Sequence, residues 1–229
     1  MLENFPKIIF ITGIGTDVGK SWATGWLARE IADAGHSVIT HKFIQTGCHE
    51  FSEDIDTHRR IMGIGMQPRD LDHTTAPIIL SYPASPQLSA SIDGVTVNYD
   101  ITIKAIHQLS EEYETVISEG AGGLMVPLND DILTLDLLRE HPEFSTAVVV
   151  SGYLGSINHA LLTLKILRDE GIKVWAVIYN PHFDNDAVIA DDTKKYLQKY
   201  VSEKHPGTLW IQMPEKIILK KPAEYFSER

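Results

Sequence analysis

The stretch that most constrains the fold of this 229-residue chain is Ile8-Ile9-Phe10-Ile11-Thr12-Gly13-Ile14-Gly15-Thr16-Asp17-Val18-Gly19-Lys20-Ser21. An apolar run passes directly into a glycine-rich turn that ends in Gly-Lys-Ser. Such a sequence reads as a buried strand, a phosphate-cradling loop and the first turn of a helix. Backbone N–H groups of the loop point inward at an anion, and the helix N-terminus adds about half a positive charge. Lys20 is placed to reach the β- and γ-phosphates of a nucleoside triphosphate, and the Ser21 hydroxyl to ligate Mg2+. The spacing is unusual. The common P-loop has four residues between its first glycine and Gly-Lys-Ser/Thr. Here Gly13 leaves five and Gly15 three, because Ile14 stands at the usual position. The competing reading is a strand-to-helix turn with no ligand, and Lys20 and Ser21 at the helix start weigh against it.

Beyond this point strand and helix patterns alternate. Lys7–Thr12, Ser37–His41, Thr115–Ser118, Thr146–Ser151, Lys173–Tyr179 and Thr208–Gln212 read as strands. Lys20–Ala34, Ser52–Met62, Tyr99–Leu109, Leu133–Glu140, Ser156–Asp169 and Asp186–Tyr200 read as helices, three of them followed by Gly35, Gly63 and Gly171. Arg69–Ser91, interrupted by Pro77, Pro83 and Pro86, reads as loop and short helix. Runs such as Ala147-Val148-Val149-Val150 suit strands buried on both faces. The expectation is an α/β fold: one P-loop NTPase-like domain across residues 1–229, with a mostly parallel sheet and helices on both faces. Ligands of such sheets bind at the carboxyl ends of the strands.

Charge narrows the partners. Lys plus Arg number 20 against 31 Asp plus Glu, a net charge of −11. Binding to a phosphate backbone needs clustered positive charge, so nucleic acid is not expected. The single cysteine, Cys48, excludes an intrachain disulfide framework and fits a reducing compartment, the cytoplasm. Met1–Lys7 lacks a basic segment and a cleavage site, and no apolar run reaches membrane-spanning length, so no membrane association is expected.

The remaining candidates all follow expected strands. Glu119 precedes Gly120-Ala121-Gly122-Gly123; it is either the acid that holds the metal at the end of a neighbouring strand in P-loop enzymes, with glycines such as Gly122 letting backbone approach phosphate, or a solvated residue in a turn after a strand. Ser52-Glu53-Asp54-Ile55-Asp56 offers another carboxylate, Asp54 ahead of Asp56, to complete a set with Ser21 and Glu119. Otherwise these acids merely favour a helix dipole. Lys42 is either a second phosphate-neutralising cation or a snorkelling strand-end lysine. Gly152-Tyr153-Leu154-Gly155-Ser156-Ile157-Asn158-His159 opens a helix with N–H groups free for an anion, or is an ordinary start capped by Ser156. Asn180-Pro181 is a base-reading amide or a turn. The ten histidines show no metal-ligand spacing and read as structural or solvated.

These residues together resemble the dethiobiotin synthetase family. The likeness covers nearly the whole chain: the lengthened P-loop Gly13–Ser21, Lys42 with Thr46-Gly47, Asp54, Ser85-Pro86, Glu119-Gly-Ala-Gly-Gly, Gly155-Ser-Ile-Asn-His-Ala160 and Asn180. The resemblance implies a homodimer that converts 7,8-diaminopelargonic acid, CO2 and ATP to dethiobiotin, ADP and phosphate with Mg2+. It implies that Lys20 and Lys42 act in catalysis and that Ser21, Asp54 and Glu119 hold the metal. Gly13, Gly15, Thr16, Asp17, Val18, Gly19, Lys20, Ser21 and Gly122 would take the nucleotide phosphates, and Asn180, Pro214 and Glu215 the adenine. Thr16, Lys42, Thr46, Leu154, Gly155, Ser156 and Asn158 would contact substrate, the last four across a dimer interface. Ser21 stands where the family often has Thr, Asp17 where Glu is common, and Phe43-Ile44-Gln45 replaces a smaller run. Two relatives of the same fold are alternatives. The cobyrinate amidating synthases need a glutaminase domain with a cysteine nucleophile. The ParA/MinD-type switches carry a further lysine near Ile14 or Gly15, absent here.

Overall fold

A computed structural model describes residues 5–219. Its main sheet has six strands: β1 (Ile8–Gly13), β2 (Val38–Lys42), β5 (Thr115–Glu119), β6 (Ser145–Ser151), β7 (Val174–Asn180) and β8 (Leu209–Gln212). Their spatial order is β2-β5-β1-β6-β7-β8 and every pairing is parallel. The apolar runs explain this arrangement. Ile9, Phe10 and Ile11 of β1 and Val148, Val149 and Val150 of β6 are wholly buried, as strands covered on both faces must be.

Helices fill the crossovers: α1 (Lys20–Asp33), α2 (Glu53–Met62), α3 (Pro68–Leu71), α4 (Pro86–Asp93), α5 (Asp100–Glu112), α6 (Thr134–Glu140), α7 (Ser156–Asp169) and α8 (Ala187–Lys204). From β1 the chain crosses through α1 to β2 in one direction along the sheet. From β6 it steps through α7 and α8 to β7 and β8 in the other. Right-handed crossovers therefore place these helices on opposite faces. The direction of winding reverses around β1, where a doubly wound sheet opens a crevice beyond its strand ends.

The elements fall close to their expected limits. Ser52, Tyr99, Leu133 and Asp186 flank their helices as N-caps. The last helix outruns Tyr200 and stops at Lys204, just before His205-Pro206-Gly207. The segment Arg69–Ser91 differs more. Besides α3 and the start of α4, it contributes β4 (Ile79–Leu80), which pairs in parallel with β3 (Gln45–Thr46) as a second small sheet. Two-residue strands carry too little alternation to register in a sequence.

His41 in β2 is fully buried; its Nδ1 pairs with Ser118 Oγ at 2.9 Å, while Nε2 has no partner among the described residues. Burial, reinforced by His58 and Lys42, pushes its pKa down to about 3. The folded state therefore keeps His41 neutral, while the unfolded chain takes up the proton below its ordinary value of 6.5. Stability should fall as pH drops through 6.5, by about 2 kcal/mol between pH 6.5 and 5 from this group alone. Urea denaturation at both pH values should show that loss in the wild type and a smaller one in His41→Gln. Equal losses would mean that His41 does not resist protonation.

Candidate active site

The P-loop is built as the sequence suggests. β1 ends at Gly13, and α1 begins at Lys20 with Gly19 as N-cap in the left-handed region at φ 89°. A side chain at Gly19 would also meet Asn180, whose Nδ2 would lie 2.2 Å from the added Cβ. Asn180 instead donates from Nδ2 to Val18 O at 3.0 Å and accepts at Oδ1 from His182 N at 3.1 Å, tying the end of β7 to the loop. Lys20 folds back over the turn and donates to Gly15 O at 2.9 Å.

Strand register sets the floor of the site. Lys42, the last residue of β2, lies directly opposite Glu119, the last residue of β5. Lys42 Nζ reaches Glu119 Oε1 at 2.8 Å and Asp54 Oδ2 at 2.5 Å. From α1, Ser21 Oγ donates to Asp54 Oδ1 at 2.7 Å and sits 3.0 Å from Glu119 Oε1. Asp54 is delivered by the first turn of α2. Ser52 caps that turn by accepting from Ile55 N and donates to Gln45 Oε1 at 2.5 Å. Asp56, two residues further on, is exposed and pairs with Arg60 instead.

Electrostatics separate the two lysines. Burial opposes the Lys42 charge, but Glu119 and Asp54 outweigh it and hold the amine above the ordinary lysine range. Burial likewise opposes the Glu119 charge, yet Lys42 and His58 keep that carboxyl well below the usual range. Lys20 has no carboxylate in contact; burial pushes its pKa down, offset only in part by Glu119 at a distance.

His58 is the site residue that sequence reasoning missed. It is fully buried, with Nε2 2.7 Å from Glu119 Oε2 and Nδ1 3.0 Å from Thr40 Oγ1. The signal was present: Asp54 and His58 are four apart on α2 and so share a face. Beyond it, Arg59 is clamped by Asp70 through Nε and Nη2 at 2.8 and 2.7 Å.

Thr16, Asp17, Gly19, Lys20, Ser21, Lys42, Thr46, Asp54, Glu119, Gly122, Asn180, Pro214 and Glu215 all line one cleft of about 1290 Å3 at the carboxyl ends of the strands. Gly13, Gly15 and Val18 form the loop behind it. Leu154, Gly155, Ser156 and Asn158 do not line this cleft. They lie beyond the end of β6, where Leu154 is 79% exposed and Asn158 is exposed as well. Gly155, not Ser156, is the N-cap of α7. Ser156 is buried, bonded through its hydroxyl to Ser151 Oγ and through its N–H to Tyr153 O, so its N–H is not free as the sequence suggested. The tight turn Tyr153–Ser156 consumes it.

A family described as an AAA domain matches residues 7–211. An ATP-dependent dethiobiotin synthetase of Pasteurella multocida is 44% identical over 207 residues, spanning 90% of this chain and 97% of that protein. Its counterpart from Haemophilus ducreyi is 42% identical over 90% of this chain and 98% of its own length. The chain belongs to the dethiobiotin synthetase family. The signal recognition particle receptor FtsY of Elizabethkingia anophelis, at 15% identity, overlays with a TM-score of 0.50 over 94% of this chain and 62% of its own, a likeness of fold alone.

For a member of the dethiobiotin synthetase family, the unequal surroundings of the two lysines have a measurable consequence. Lys20 is a buried cation without a carboxylate in contact, so Lys20→Met should stabilise the ligand-free protein, by about 1 kcal/mol. Removing one partner of a buried charge cluster is costly, and Lys42→Met should destabilise it by about 3 kcal/mol or more. Urea denaturation of both variants checks this. Shifts in the same direction would contradict the assigned pairing.

Proposed function

We propose that this protein is the ring-closing ligase its relatives' names describe, converting 7,8-diaminopelargonic acid, CO2 and ATP to dethiobiotin, ADP and phosphate. The reading is carried by one observation: two lysines, two carboxylates and a hydroxyl converge at the mouth of the P-loop. One substrate amine adds to CO2 and loses a proton, giving a carbamate. A carbamate oxygen attacks the γ-phosphorus and ADP leaves. The second amine attacks the carbonyl of the resulting carbamic–phosphoric anhydride and loses its proton. Phosphate departs and the cyclic urea closes. Each step needs positioning and charge neutralisation rather than a protein nucleophile.

The loop N–H groups and Lys20 would hold the phosphates, with Thr16 beside them. Lys42 would neutralise the transferring phosphoryl group and the carbamate, next to Thr46. Asn180, Pro214 and Glu215 would bound the adenine. Ser21, Asp54 and Glu119 would hold Mg2+, which when bound neutralises charge on the phosphate oxygens. The donor set suits it: all oxygen, with Ser21 Oγ 2.7 and 3.0 Å from the two carboxylates. An octahedron with bonds of 2.0–2.1 Å has edges of about 3 Å.

The substrate carries its carboxylate several methylenes from its amines, so that group must be held well away from the γ-phosphate. The start of α7, with Leu154, Gly155 and Asn158, lies outside the cleft of its own chain. In a homodimer it would serve the partner's cleft. Residues 1–229 would form one ligase domain, working in the cytoplasm. Among the described residues no helix is long and apolar enough to cross a membrane.

The test is ADP release by purified protein with Mg-ATP and bicarbonate, with and without diaminopelargonate. Release should depend on the diamine and yield dethiobiotin. The methyl ester of the diamine should show a KM raised by roughly 2- to 30-fold, as expected for about 0.3–2 kcal/mol at a helix N-terminus. Asn158→Leu should raise KM for the diamine and leave that for ATP unchanged. Diamine-independent turnover would overturn the function. An ester that binds as well as the acid would overturn the carboxylate site alone.

A further inference from the structure

His107, His141 and Glu143 each bring one donor atom within 4.8 Å of the others. His141 Nδ1 is 3.0 Å and His107 Nε2 3.6 Å from the same oxygen, Glu143 Oε1. Tetrahedral zinc, with bonds of about 2.0–2.1 Å, places its donors about 3.3 Å apart, between those two separations.

Packing and a closed turn hold His141 in place. His141 is the C-cap of α6, and Phe144 N donates to His141 O at 3.0 Å to close the turn that carries Glu143. The His141 ring stacks on Phe144 at 5.1 Å and 18°, and buried Phe144 stacks in turn on Phe10 of β1. His107 comes from α5. The group therefore joins two elements at the edge where β6 begins, whereas the cleft lies where the strands end.

The donor chemistry differs from that of the cleft. Two imidazoles and one carboxylate suit zinc and its late first-row neighbours, not Mg2+. Three protein ligands leave a fourth position for water. We infer that His107, His141 and Glu143 form a zinc site, completed by water, that clamps α5 to the turn leading into β6. The site is independent of the ligase chemistry.

Zinc competition against a chromophoric chelator tests this, with saturating Mg-ATP present to occupy the carboxylates of the cleft. Wild-type protein should bind one zinc ion more tightly than His107→Ala or His141→Gln. Loss of a group that merely supports a ligand costs about 10–100-fold in affinity, so loss of a ligand should cost at least about 100-fold. His107→Ala alters an exposed helix position, and circular dichroism should show it folded like the wild type. X-ray absorption at one equivalent of zinc should show imidazole ligands in the wild type and fewer in either variant. Equal zinc affinity in the wild type and the double variant, or a zinc spectrum without imidazole, would overturn the site and leave two histidines that only pair with Glu143.

Discussion

The parallel register of β2 and β5 places Lys42 beside Glu119 at the two strand ends, and the rest of the site depends on that pair. Glu119 is only 1% exposed. A carboxylate so deeply buried is tolerated only when its charge and lone pairs are met. Lys42 and Ser21 meet one oxygen and His58 the other. Three elements are thereby locked to the sheet edge: β2 through Lys42, α1 through Ser21 and α2 through His58. Asp54 rides on α2 and completes the group. Behind it, Thr40 bonds both His58 and Arg59, and the Arg59–Asp70 clamp anchors α3.

The two lysines differ in what holds them before a ligand binds. Lys42 is satisfied by carboxylates before any substrate arrives. Lys20 is buried with only a backbone carbonyl to hold it. Under the proposed function, a bound phosphate would offset the burial of that cation. If so, the loop carries this cost in the ligand-free protein, as binding sites that trade stability for function do.

Much of this was legible in the chain. The apolar strands, the glycine-rich turn and the alternation of periods give the parallel sheet, and strand ends give Lys42, Glu119 and Asn180, because parallel sheets gather function at one edge. Asp54 was distinguishable from Asp56 only weakly by sequence; the Ser52 cap turns Asp54 toward the cleft and leaves Asp56 in solvent. His58 gives no sequence signal of its own, because a lone histidine has no spacing to read until its helix face is fixed by Asp54. Arg59 and Asp70 are joined across a turn no local pattern specifies. The bonding of Ser156 depends on Tyr153 and Ser151, which meet it through a tight local turn whose conformation the side chains do not announce. The β3–β4 pair is held by two residues on each side and leaves no periodic trace.

On the proposed function, the cleft transfers a phosphoryl group to a carbamate and not to water. Oxygen-18 transfer tests it most directly. With labelled bicarbonate, unlabelled water and no carbonic anhydrase, one labelled oxygen from the carbamate should appear in the released phosphate, read by 31P NMR isotope shift or mass spectrometry. Phosphate free of label, released together with ADP, would mean that water is the nucleophile and would overturn transfer to a carbamate.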